Sequence, residues 1–167
     1  MHPDLLLTKT FIYDPYDVGF AQFKEEAESQ EYAASTFTLN ATDIKFRVAK
    51  VTPTKTGLFV TLWKRNAQGI TCPHEASDAI DFIVISCRDK NKFGQFVFAK
   101  SVLVKEGIIT TALKEGKRGF RVYPPWEMDL NKQALKTQKW QAEFFLEIKG
   151  GDSPDALRVK QLYSENS

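Results

Sequence analysis

Acidic side chains are missing from Ile44 to His74, a stretch that carries five Lys or Arg within Phe46 to Arg65 alone. Cysteine is almost absent too: Cys72 and Cys87 stand alone without paired spacing, which excludes a disulfide-stapled scaffold and suits a reducing compartment. The two histidines, His2 and His74, leave no basis for a histidine-centred triad. The run "CPHE" places Cys72 and His74 as neighbours, but a metal site needs two or more further ligands, and none is grouped with them. No apolar run approaches bilayer-spanning length, and the first residues lack the basic, apolar, small-residue order of a secretory signal. A cytoplasmic protein that is not membrane-inserted is therefore expected. Neither a phosphate-binding Gly-x4-Gly-Lys-Ser/Thr loop nor a dinucleotide fingerprint nor a Gly-x-Ser-x-Gly elbow occurs.

What is present is a segregation of charge. The net charge of +2 conceals −6 over residues 1–43, +9 over residues 44–126 and −1 over the remainder. Binding of a polyanion follows local fields rather than the total, so the basic centre directs attention to nucleic acid. At 167 residues the chain is long enough to bury a real core.

Periodicity divides the chain. Residues 17–34 read as a helix with Phe20, Phe23, Ala27 and Ala34 on one stripe, Glu25 and Glu26 pointing outward, and Glu28 and Glu31 at its edge. From Phe37 the period falls to two. "IKFRVAKV" and "LFVTLWKR" are strands joined by the turn "TPTKTG", and "AIDFIVISC" and "GQFVFAK" form a hairpin across a polar loop at 88–94. A strand in "GKRGFRVYPPW" stops at Pro124, and residues 129–148 read as an amphipathic helix with Trp140 at the border of its charged arc. The expected fold is α+β: a four- to five-stranded mixed or antiparallel central sheet, flanked by an N-terminal and a C-terminal helix. Residues 1–149 form one domain in this reading, and 150–167 a polar C-terminal tail.

Two constellations carry chemistry. In the hairpin, antiparallel partners should sum to about 181, which sets Asp81 opposite Lys100. An acid and a lysine at one hairpin end form the skeleton of a magnesium-dependent nuclease site, in which carboxylates hold the metal and the lysine steadies developing charge. The second carboxylate belongs two residues before the lysine, where this chain has Phe98. Gln95 points to the other face of a regular strand and is no easy substitute, while the first helix offers Glu28 and Glu31 as replacement acids. The competing reading is a plain cross-strand ion pair. The broader constellation is basic and aromatic: Arg47, Lys50, Lys55, Lys64, Arg65, Lys117, Arg118, Arg121, Lys136 and Lys139, interleaved with Tyr123, Trp126 and Trp140. Phosphates attract the cations and unpaired bases attract the rings. Phe59 and Trp63, on a strand with two apolar faces, are expected to pack rather than stack on bases. Nothing resembles a helix-turn-helix, zinc-finger or RNA-recognition signature.

The ordered set "EAESQEY", "FRVAKVTPTKTGLFVTLWKR", "GQFVFAK", "GKRGFRVYPPW" and "KTQKWQ" resembles the MepB family of small bacterial proteins over roughly residues 20–146. The family pattern has proline before its lysine, where this chain has Ala99. The resemblance implies a cytoplasmic protein, in some bacteria encoded beside a multidrug efflux pump. It also implies a fold similar to the restriction-endonuclease-like PD-(D/E)XK group and a role in nucleic-acid binding. The leading expectation is accordingly a nucleic-acid-binding protein, with DNA the first partner to test, and an enzyme ranks behind it. The alternatives are a nuclease using Asp81, Lys100 and a helix carboxylate with Mg²⁺, and an accessory protein in drug response that binds a protein or small ligand.

Overall fold

The structure is a computed structural model that describes residues 1–150 and 154–164. Helix α1 (Pro3–Thr8) continues into a π-helical turn at Lys9–Tyr13, followed by strands β1 (Phe20–Glu25), β2 (Ser35–Leu39) and β3 (Thr42–Val48). A small layer comes next: β4 (Lys50–Val51), β5 (Leu58–Thr61), β6 (Trp63–Arg65) and β7 (Thr71–Pro73). The chain then returns to the main sheet as β8 (Phe82–Asp89) and β9 (Lys92–Ala99) and enters helix α2 (Lys100–Lys105). Strand β10 (Gly119–Val122), helix α3 (Lys132–Gln141), strand β11 (Phe145–Glu147) and helix α4 (Ala156–Tyr163) complete it.

The architecture is α+β, with a mixed sheet of six strands ordered β1-β2-β3-β8-β9-β11. Only β3 and β8 run parallel, because the small layer intervenes and carries the chain back to the same end of the sheet. Strand β8 is apolar from Phe82 to Cys87 apart from Ser86, as expected of a strand covered on both faces. One face packs beneath Leu58, Val60, Leu62, Phe120 and Val122 of the small layer and Leu103 of α2. The other is covered by Leu5 and Ile12 near the N-terminus and by Val159 and Leu162 of α4. Among the described residues, no helix is long and apolar enough to cross a membrane.

The hairpin β8–β9 has the expected register, Phe82↔Ala99 through Asp89↔Lys92. Its loop is shorter than the 88–94 expected, because Lys90 takes a left-handed conformation (φ 52°) that closes a two-residue turn. Three expectations need correction.

The helix expected over 17–34 is strand β1 followed by a single 3₁₀ turn at Gln30–Tyr32. Strand β1 carries a bulge: Ala21 pairs with Thr38 and Lys24 with Thr36, so Gln22 and Phe23 together oppose Phe37. Gln22 has φ 54° there. The extra residue brings Phe20 and Phe23 to one side, where their rings lie 6.4 Å apart. A bulged strand thus imitates the i, i+3 spacing of a helix. Glu26, expected to face outward, turns inward instead.

The C-terminal helix stops at Gln141 rather than Ile148. Phe145 packs on one face of the main sheet and its neighbour Leu146 on the other, a period of two that only β11 satisfies. Finally, the expected polar tail contains α4, whose Val159 and Leu162 are buried and whose Tyr163 hydroxyl bonds to that of Tyr13 at 2.8 Å. Residues 151–153 and 165–167 of that tail lie outside the described residues.

Candidate nucleic-acid interface

Three segments far apart in sequence meet over the small layer. The β4–β5 turn contributes Thr54, Lys55 and Thr56, strand β10 and its approach contribute Lys117, Gly119 and Arg121, and α3 contributes Lys136, Thr137 and Trp140. Between them runs a groove of about 750 Å³, with Tyr123 in its wall and, among the described residues, Glu106 as its one acid.

Local chemistry builds each wall. Gly57 sits at φ 79°, and a side chain there would meet the Tyr123 ring at 2.6 Å, so glycine both turns the chain and admits the ring. Arg121 donates to the Thr56 carbonyl at 3.1 Å and to the Thr52 hydroxyl, while its guanidinium lies over the Phe59 ring at 5.8 Å. Its role is to pin the turn that presents Lys55. Helix α3 starts at Asn131, whose side chain accepts from the Ala134 N–H at 2.9 Å. It is tied to β10 by Gln141, which is wholly buried. The Gln141 amide accepts from the Tyr123 N–H at 2.8 Å and donates to the Arg121 carbonyl at 2.9 Å, as a neighbouring strand would. Trp140 packs against Phe98, ring centres 5.4 Å apart, and remains half-buried at the groove.

Of the cations expected to meet phosphate, Lys55, Lys117, Arg121 and Lys136 line this groove together with Trp140. The others do not. Lys139 is exposed on α3 outside it. Lys50 lies over the Tyr32 ring at 5.0 Å, and Arg118 donates to the Thr71 carbonyl at 3.0 Å. Arg65 pairs with Glu28 and Lys64 with Asp78, each at 2.6 Å.

Arg47 corrects the sequence reading most sharply. It is 2 % exposed and ion-paired with Glu26, which also takes Lys45 at 2.6 Å. Burial works to raise the Glu26 carboxyl, but Arg47 and Lys45 outweigh it and hold its pKa below the usual carboxylate value. Arg47 is a buried structural cation, with no surface on which to hold a phosphate.

The hairpin end has the expected backbone placement, since Lys100 donates its N–H to the Asp81 carbonyl at 2.9 Å. The side chains part. The Asp81 carboxylate accepts from the Asp43 N–H at 2.8 Å, and the Lys100 ammonium donates to the Asp78 carbonyl at 3.0 Å. Glu28 is taken by Arg65, and Glu31 stands exposed in the 3₁₀ turn, neither on the helix expected to deliver it. Phe98, where the nuclease pattern wants an acid, is fully buried between Phe96, Phe120, Phe144 and Trp140. A carboxylate at that position would point into the core. Among the described residues, no three His, Cys, Asp or Glu side chains converge as a metal site.

The sequence reading missed the pairing of His74 with Asp78, Nδ1 to carboxylate 3.1 Å. His74 is buried, and its pKa is pushed down to about 4, chiefly by burial and then by Lys45, with Asp78 opposing. The signal available was the i, i+4 spacing in "HEASD". Gln141 and Glu106 were missed as well; an isolated glutamine or glutamate in a helical stretch carries no signal of its own.

Comparison with known proteins gives a consistent answer. No curated protein matches the chain. A solved structure described as the crystal structure of MepB is 37 % identical, with a TM-score of 0.78, over 88 % of this chain and 97 % of that one. The family model described as MepB-like matches residues 26–147, which hold β2 through β11 and the whole groove. The chain belongs to the MepB-like family.

Proposed function

We propose that this protein binds nucleic acid in the groove between the β4–β5 turn, β10 and α3. One observation carries the reading: Lys55, Lys117 and Lys136 come from three separate segments, line one groove beside Trp140 and Tyr123, and face a single acid there. None of the three lysines has a carboxylate partner among the described residues, in contrast to Lys45, Lys64 and Arg65. Unpaired cations along one channel are what a phosphodiester backbone requires, and aromatic walls add faces for bases.

The test is binding of labelled oligonucleotides as a function of salt. Three lysine contacts give a slope of log affinity against log salt of about −2 for a single strand and about −3 for duplex. Lys117→Ala should weaken binding and reduce that slope by about 0.7 to 0.9. Failure to bind DNA or RNA of any form at low salt would refute the reading.

A further inference from the structure

We propose that the protein has a second ligand site, for a small apolar carboxylate, in a cleft between helix α4, the β2–β3 turn and residues 16–18. The cleft lies on the face of the main sheet that α4 covers, away from the small layer and its groove. The inference therefore stands apart from the nucleic-acid reading. The cleft holds about 410 Å³, within the roughly 300–1,000 Å³ of clefts that enclose a small organic ligand.

Local structure gives the cleft a fixed shape. Strands β2 and β3 are joined by Asn40 and Ala41, both left-handed at φ 48° and 67°, in a two-residue turn. Gly19, at φ 58°, leaves the space that the Asn40 carboxamide occupies, so the turn is seated against the N-terminal segment. Two tyrosines line the cleft, and each is pinned by its hydroxyl. Tyr16 donates to the Pro154 carbonyl at 2.5 Å, which ties residues 16–18 to the approach to α4. Tyr163 bonds to the Tyr13 hydroxyl at 2.8 Å and accepts from the Gln95 amide at 2.7 Å. Little side-chain freedom is left to lose when a ligand enters. The cleft is pre-organised.

The lining selects the chemistry. Leu39, Ile44 and Val159 are buried at the floor of the cleft, with Val18 beside them. A charged group set among them would lose its hydration with nothing to replace it, so the ligand must offer them an apolar body. Polar groups lie towards solvent: Asn40, Lys160 and Ser164 are exposed, and Thr42 is half-buried. Among the described residues, Lys160 is the one charged side chain in the lining. Asp17, Asp43 and Asp155 are near in sequence, but none lines the cleft. Asp155 is occupied in capping α4, accepting from the Leu157 N–H at 2.9 Å. An ammonium beside amide and hydroxyl donors at a wet rim suits a carboxylate head, and it disfavours an organic cation. The class is an apolar body with one negative charge at its end. Such a ligand bridges three segments of the chain and stabilises the folded state by mass action.

The decisive experiment is isothermal titration calorimetry on the full chain with 4-phenylbutyrate, 4-phenylbutanamide and 4-phenylbutylamine. The three share one body and differ in the charge of the head. The carboxylate should bind about threefold more tightly than the amide, and the amine should bind most weakly. Lys160→Gln should remove that ranking by weakening the carboxylate towards the amide. Ala156→Trp on α4 and Thr42→Trp on β3 each fill the cleft and should abolish binding. Because the two plugs sit on separate elements, one remains informative if the other fails to fold. The unfolding temperature should rise with added phenylbutyrate and stay level with phenylbutylamine. No binding of any of the three compounds would overturn the proposal, as would amine binding equal to that of the carboxylate. Binding that survives both plugs would place the ligand elsewhere, and a ranking that persists in Lys160→Gln would remove the lysine from its role; either result refutes the site.

Discussion

Lys45 and Arg47 on β3 and Lys55 in the following turn belong to one acid-free stretch, yet they have opposite fates. The first pair is drawn into the protein by Glu26, and Arg47 is sealed there at 2 % exposure. Lys55, with Lys117 and Lys136, stays at the surface with no carboxylate partner among the described residues. The same residue types build the fold in one region and a candidate binding surface in the other. What divides them is whether an acid from a distant segment arrives to neutralise them.

The comparison can be broken from its buried side. Glu26→Ala strands a buried guanidinium and should cost about 3–5 kcal/mol, read by urea denaturation. Replacing Arg47 by Met together with Glu26 by Leu should recover most of that loss, because no charge is then left buried alone. Tighter oligonucleotide binding without loss of stability in Glu26→Ala would mean that Arg47 belongs with the groove cations after all.

A pH titration probes the same buried region. His74 has a folded pKa of about 4 against 6.5 in the unfolded chain, so the unfolded state takes up its proton first as pH falls. Stability is fully present above about pH 6.5 and is lost progressively down to about pH 4, by about 3 kcal/mol in total. His74→Gln should flatten that window, with Asp78 contributing below it because its carboxyl is held low by Lys64 against the raising effect of burial. Denaturation midpoints across the range check this.

Gln141 lies at the junction of fold and groove. Gln141→Leu leaves the Arg121 carbonyl and the Tyr123 N–H without partners and should cost about 1–3 kcal/mol, with a further loss of oligonucleotide affinity as α3 moves. The smallest effect on stability is expected at the groove itself. Lys117→Ala and Lys136→Ala should leave denaturation midpoints within about 0.5 kcal/mol of the parent while weakening binding. A groove lysine that proved important for folding would undo the contrast.

Much of the central sheet was legible before the structure. The β8–β9 register follows from two apolar runs and one polar loop, and the backbone pairing of Asp81 with Lys100 follows from that register. The helix read over 129–148 is shorter at both ends, Lys132–Gln141, because the Asn131 side chain caps it at one end and the period changes to two at Phe145 and Leu146 beyond the other. The N-terminal segment misled for a physical reason, since a bulge at Gln22 and Phe23 reproduces helical spacing in a strand. The inward turn of Glu26 was hidden with it. Helix α4 was missed because its buried face rests on two residues, Val159 and Leu162, within a polar run.

The sequence by itself determined an α+β protein with a basic middle, the pairing of its central hairpin, and a broad set of ten cations with Tyr123, Trp126 and Trp140 worth testing, from which the structure gathers Lys55, Lys117, Lys136 and Trp140 into one groove. Only the tertiary structure decided which cations are free. Pairing depends on acids that arrive from other segments: Glu26 onto β3, Glu28 onto Arg65, Asp78 onto Lys64. It also decided that Phe98 lies in an aromatic core, where an acid would be buried without a partner, and that Asp81 and Lys100 turn to different partners. Spacing along a chain specifies which face a side chain takes, whereas the charge it meets there is set by contacts between segments tens of residues apart.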